Sequence, residues 1–159
     1  MRAQDQPWAA VCVALVAMIG CAAGTEDMPE TERASRATEA RVLVEAMARG
    51  AELQAARGVA MTQAAGPTPP VGTCCAGARG RCRPTPAWWD TPAWRAARFQ
   101  VHQPHAYSYE FRPDARGFTA LAYGDLDCDG VVSTFSIRGE VGTGGMIELE
   151  PLRTTNPLE

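Results

Sequence analysis

The apolar positions of this chain change period partway along, from three or four residues in the first half to two in the second. Over 27–65 the chain is rich in Ala, Glu and Arg. Ala40, Leu43, Met47, Ala51 and Gln54 recur there at helical spacing, with Val42 and Val44 flanking. That pattern predicts one long helix over 27–65. Asp27-Met-Pro-Glu30 has the form of a capping box with proline in the first turn. Glu45 and Arg49 form an i,i+4 pair on another face, and Glu39, Arg41 and Glu52 decorate the remainder. Gly50 and Gly58 each cost about 1 kcal/mol relative to alanine, so a bend or early stop is expected. The expected role is a solvated helix laying one small-residue stripe on a domain, rather than an amphipathic helix bound to a membrane.

Gly66-Pro-Thr-Pro-Pro-Val-Gly72 breaks regular structure and opens a Pro/Gly/Cys-rich loop over 66–87. Period-two patterning follows. In 105–112, Tyr107, Tyr109 and Phe111 point one way while Ser108, Glu110 and Arg112 point the other, the mark of a half-buried strand. Pro113-Asp-Ala-Arg-Gly117 turns the chain into a second strand over 118–123, and a third runs over 131–137. Gly142-Thr-Gly-Gly145 turns it again before a short strand over 146–150. The expectation is an α+β fold, with the long helix packed on a three- to four-stranded antiparallel sheet over 88–150 and a flexible tail over 151–159.

Composition narrows the function classes. A chain of 159 residues supports one domain, and its apolar content leans on alanine, so the core is expected to be small. The net charge of -3 argues against a nucleic-acid partner, which calls for a basic surface. Every basic residue is arginine, which reads as codon bias of a GC-rich genome.

The first residues read as an export signal over 1–20. Arg2 supplies a weak positive start, Asp5 offsets it, and Ala9-Ala-Val-Cys-Val-Ala-Leu-Val-Ala-Met-Ile19 is an apolar run of 11 residues. A membrane-spanning helix needs about 20 apolar residues, so this run is too short for one. Met18-Ile19-Gly20-Cys21 resembles a bacterial lipobox, in which the cysteine is lipidated and begins the mature chain. Cys21 is thus the lipidation candidate, 21–26 a tether, and membrane attachment by a lipid anchor the expectation. A plain secretory signal with an incidental cysteine is the alternative.

Cleavage there removes Cys12 and leaves Cys74, Cys75, Cys82 and Cys128 as disulfide candidates in an oxidising compartment. Adjacent Cys74 and Cys75 close a strained ring if joined. One of the two is therefore expected to reach Cys82 and the other Cys128, and the sequence does not say which. A zinc site is the rival reading, although Cys-Cys-x6-Cys lacks the spacing of a zinc knuckle.

The order of helix, cysteine loop, Trp-x-x-Pro-x-Trp, Tyr-x-Tyr, Phe-Thr-Ala and Gly-Asp-Leu-Asp-x-Asp-Gly resembles the globular part of type IV pilins and pilin-like proteins, or pseudopilins, of the myxobacterial type. The resemblance covers roughly 38–140 and is strongest over 88–135. It implies a long N-terminal helix packed on an antiparallel sheet, with a disulfide-closed loop near the C-terminal end. A prepilin start, with glycine before a Phe-Thr-Leu-Ile-Glu-type segment and a long apolar helix, is absent before Gly24. The resemblance implies the domain, and the lipobox-like cysteine implies a different anchor.

Candidate chemistry concentrates in Asp125-Leu-Asp-Cys-Asp-Gly-Val-Val-Ser133. Asp125, Asp127, Asp129, Val131 (through its carbonyl) and Ser133 fall at positions 1, 3, 5, 7 and 9 of an EF-hand-like loop, and hard oxygen ligands at alternate positions suit calcium. The twelfth position is Ser136 instead of a bidentate glutamate, so binding is expected to be weak unless Glu140 or another acid approaches. A hairpin closed by its Asp-Gly pair is the alternative. Trp88, Trp89 and Trp94 are candidate contacts for surface glycans, or else core. His102 and His105 read as ordinary surface or edge residues, and Arg79, Arg81 and Arg83 as a solvated basic patch. No nucleophile elbow or phosphate-binding glycine loop is present. The expected function is a non-catalytic, exported structural or binding component of the cell envelope, either lipid-anchored at the outer membrane or at the periplasm or cell surface. The alternatives are a minor pilin or pseudopilin of a type IV pilus or type II secretion system, meeting other pilin-like subunits, and a calcium-dependent adhesin.

Overall fold

A computed structural model of the chain describes residues 28–60 and 62–159. The export signal, Cys21 and the tether lie outside these residues. Helix α1 runs Glu30–Ala56, about 40 Å at 1.5 Å per residue. It is shorter than the expected 27–65 at both ends. Pro29 occupies the N-cap with no side-chain cap bond, so the capping box is not formed as drawn. Glu30 and Glu32 in the first turn complement the helix dipole instead. At the other end Gly58 adopts φ +76°, its N–H donates to Ala55 O, and Val59 N–H donates to Gln54 O. Those two bonds are a Schellman stop. Gly50 neither bends nor ends the helix. A Cβ there would stand 3.1 Å from the Ala97 carbonyl oxygen, so glycine lets a neighbouring helix approach.

The buried face of α1 is Arg36, Ala40, Val44, Met47, Ala48 and Ala51. Leu43 is half-buried beside it, and Val42 is 55% exposed. The expected stripe is therefore rotated slightly toward Val44 and Ala48.

Six antiparallel strands form the sheet, two more than the largest number expected. They are β1 (Ala65–Thr68), β2 (Ser108–Asp114), β3 (Gly117–Gly124), β4 (Ser133–Val141), β5 (Ile147–Leu149) and β6 (Arg153–Thr155). Their order is β1-β2-β3-β4, and β5 and β6 both pair with the far side of β4. β1 falls in the segment expected to be loop, and β6 in the expected tail. Residues 86–97, expected to end the loop at 87 and begin the sheet region at 88, form two short helices instead, α2 (Pro86–Trp89) and α3 (Pro92–Ala97). Each has proline in its first turn after a threonine, and Thr91 Oγ1 accepts the Trp94 N–H at 3.2 Å.

The helix-facing side of the sheet pairs large residues with small ones across strands. Tyr109 stands opposite Ala122, which stands opposite Phe135; Phe111 stands opposite Ala120, which stands opposite Ile137. All six are buried. Where a side chain would collide, glycine is used. A Cβ on Gly124 would lie 2.5 Å from the Tyr107 ring, and one on Gly139 would lie 2.6 Å from the Phe118 ring. The resulting layer has room for a helix whose contact residues are mostly alanine. Gly124→Ala is expected to destabilise the protein by about 1–3 kcal/mol through overpacking, measured by chemical denaturation. An unchanged midpoint would show that Tyr107 has space to yield.

Candidate functional site

The N-terminal half of α1, the cysteine loop and the β3–β4 turn meet at one end of the molecule. Arg36 organises the meeting. It is 1% exposed; one terminal nitrogen donates to Glu32 Oε1 (2.8 Å) and Arg79 O (2.7 Å), and the other donates to Gly80 O (3.2 Å). Hydrogen bonding to this guanidinium holds the Glu32 carboxyl below its usual value. One turn on, Glu39 Oε1 accepts the Ala106 N–H at 2.9 Å, and its other oxygen meets Arg81 at 3.3 Å. Two charged side chains of the helix thus hold the Cys82 end of the cysteine loop, by its backbone at Arg79 and Gly80 and by the Arg81 side chain.

Cys74 lies at bonding distance from Cys82, and Cys75 from Cys128, with Cα separations of 4.5 and 5.7 Å. This selects one of the two arrangements the sequence left open. The pairs tie the loop over 74–82 to itself and to the β3–β4 turn, instead of closing a loop at the C-terminal end.

In that turn the carboxylate oxygens of Asp125, Asp127 and Asp129 lie within 4.8 Å of one another. Asp125 Oδ2 accepts the Gly130 N–H (3.1 Å), Asp129 Oδ1 accepts the Val131 N–H (2.7 Å), and Asp127 stands 3.8 Å from the Arg33 guanidinium. Asp125 Oδ1 is buried with no hydrogen-bond partner. Cys128 and Gly130 take positive φ of 66° and 95°, which folds the acids toward one another. Ser133 is not with them; it belongs to β4, is buried, and donates its hydroxyl to the Tyr107 oxygen at 3.3 Å. Val131 stays in the turn, with its side chain exposed and its N–H bonded to Asp129. Glu140 pairs with Arg138 at the far end of β4, about 23 Å away at the strand rise. Three carboxylates without a bidentate acid suit only weak calcium binding, and Arg33 with the backbone N–H groups already offsets part of their repulsion.

Of these three tryptophans, Trp89 and Trp94 are 2% exposed and form core, the alternative to glycan contact that the sequence offered. Their rings lie 5.3 Å apart, and Trp94 Nε1–H donates to Thr68 Oγ1 at 3.1 Å. Trp88 alone, 36% exposed, borders a cleft of about 470 Å³ shared with Arg79, Arg81, Arg83 and Pro104. His102 is exposed, whereas His105 is buried against Trp89 and Tyr109. Burial lowers the His105 pKa and raises that of Tyr109 well above the usual phenol value.

Sequence reasoning missed Arg36, Glu39 and His105. Arg36 reads as half of an exposed i,i+4 pair with Glu32, and nothing in its spacing signals burial. No protein-family model, no curated protein and no solved structure matches the chain.

Arg36→Met keeps the apolar stem and strips hydrogen bonds from two backbone carbonyls. It is expected to cost about 1.5–3 kcal/mol and to speed tryptic cleavage after Arg79 and Arg81 while the disulfides stay intact. Equal cleavage rates would mean the loop is held by its disulfides alone. For the acidic turn, a rise in melting temperature is expected only at millimolar calcium, the range of weak sites, and is expected to be lost in Asp127→Ala. A shift at micromolar calcium would require a further ligand.

Proposed function

We propose that this protein is an exported, lipid-anchored, pilin-like structural or binding component of the cell envelope, with no catalytic role. The observation that carries this reading is the arrangement of a 27-residue helix across the aromatic face of an antiparallel sheet, with a disulfide-bound loop clamped to the helix. The helix on the sheet is what the resemblance to pilin-like domains implies, whereas the disulfides sit in the loop before the sheet and not at the C-terminal end. Two disulfides suit an oxidising compartment. No helix among the described residues is long and apolar enough to cross a membrane, so attachment in this reading falls to a lipid on Cys21.

A second reading, a minor pilin or pseudopilin that packs with like subunits, is favoured by Val42 and Leu53. Both stand on α1 and each is 55% exposed. The calcium-dependent adhesin is left with Trp88 as its sugar-stacking surface, and its side-chain calcium ligands would be the three aspartates.

Mass spectrometry of the mature N-terminus tests the anchor. The expected result is an acylated Cys21 as first residue, with Cys21→Ser moving the protein from the detergent phase to the aqueous phase. A mature chain beginning elsewhere without lipid would overturn the anchor. Recovery of the protein in sheared surface fibres would favour the second reading.

A further inference from the structure

The Cys74–Cys82 pair and His105 together form one buried set of donor atoms. Cys74 Sγ, Cys82 Sγ and a ring nitrogen of His105 lie within 4.8 Å of one another, and all three residues are at least 95% buried. Their placement is imposed by the backbone. Cys82 and His105 face each other across an isolated antiparallel bridge with N–H to carbonyl distances of 2.8 and 3.1 Å. The loop between the cysteines has no slack, since a Cβ on Gly77 would come within 1.9 Å of the Arg81 carbonyl oxygen.

The histidine is oriented as a ligand. Its Nδ1 stands 3.0 Å from the Gln103 carbonyl oxygen, which assigns the proton to that nitrogen. Its Nε2 is buried and has no hydrogen-bond partner. A backbone carbonyl on one ring nitrogen, with an open lone pair on the other, is the arrangement that orients a metal-binding imidazole. The rings of Trp89 and Tyr109, with centroids 6.0 and 6.2 Å from that of His105, flank it. An unpartnered nitrogen in such surroundings costs free energy that a bonded cation would recover.

We propose that opening the Cys74–Cys82 disulfide creates a site for a thiophilic cation, zinc(II) or copper(I), held by Cys74 Sγ, Cys82 Sγ and His105 Nε2. A dithiol reductant supplies two electrons and two protons, the S–S bond breaks to two thiols, and the reductant leaves as its own disulfide. A divalent cation then displaces the two thiol protons and binds two thiolates and the neutral imidazole. Soft sulfur ligands select this class of metal over calcium or magnesium. Tetrahedral zinc sets such ligands about 3.5–3.8 Å apart, which small shifts within the present cluster reach. The oxidised chain offers no free thiolate there, so metal uptake reports the redox state of the loop. The spacing Cys-Cys-x6-Cys concealed the site, because its third ligand comes from 23 residues beyond Cys82.

Cys75 and Cys128 also approach Asp125, so the test uses the full chain carrying Cys75→Ser and Cys128→Ser, reduced with a phosphine without oxygen. Titration with cobalt(II) is expected to give one equivalent per chain, with a thiolate charge-transfer band and the visible bands of tetrahedral cobalt. Zinc is expected to displace the cobalt, and the same chain left oxidised is expected to give neither signal. His105→Ala is expected to weaken binding about tenfold or more. Because that variant can fail to fold, X-ray absorption of the zinc-loaded double variant supplies an independent count. Two sulfurs and one imidazole nitrogen support the site. A shell without sulfur, a shell without imidazole, or the absence of any cobalt spectrum overturns it.

Discussion

The structure depends on one steric constraint, that each aromatic side chain on the inner sheet face needs a residue with little or no side chain beside it. Tyr107 lies over Gly124, Tyr109 beside Ala122, Phe111 beside Ala120, and Phe118 over Gly139. The rings can then lie close to the sheet, and a helix faced with Ala40, Ala48 and Ala51 comes near enough to cover them. A core poor in leucine and isoleucine closes because small residues on the helix meet large ones on the sheet. With the helix fixed by this contact, Arg36 and Glu39 fall where they can hold the cysteine loop. That loop, through Cys75, holds the acidic turn.

How far this was legible in the sequence follows from which residues carry local signals. The inner face of β2 could be read because Tyr107, Tyr109 and Phe111 alternate with polar residues, and alternation is a property of the strand itself. The strands β1 and β6 could not. Ala-Gly-Pro-Thr and Arg-Thr-Thr have no alternation, and they are strands only because β2 and β4 offer them partners. The end of α1 was misplaced because the alanine-rich pattern continues past Ala56, while the Gly58 conformation ends the helix. The helices α2 and α3 did carry a local signal, a threonine before a proline at each start, but each is too short for a helical period to show.

The candidate site divides in the same way. Convergence of Asp125, Asp127 and Asp129 was readable because they are local in sequence. Ser133 was misjudged because a strand sends neighbouring side chains to opposite faces, and Glu140 does not approach because the same strand carries its end far from its start. Choosing between the two cysteine pairings required the fold, since Cys75 and Cys128 are 53 residues apart. The union of Cys74, Cys82 and His105 depends on a single backbone bridge, which no spacing rule anticipates.

The two margins of the sheet are unequal in what they can accept. β1 contains Pro67, which has no N–H to offer, and it is followed by Pro69. The opposite margin is shared between β5 and β6, each three residues long. A further chain can therefore be recruited by backbone pairing on one side only. Such pairing ends after two copies meet face to face and does not propagate as a ribbon.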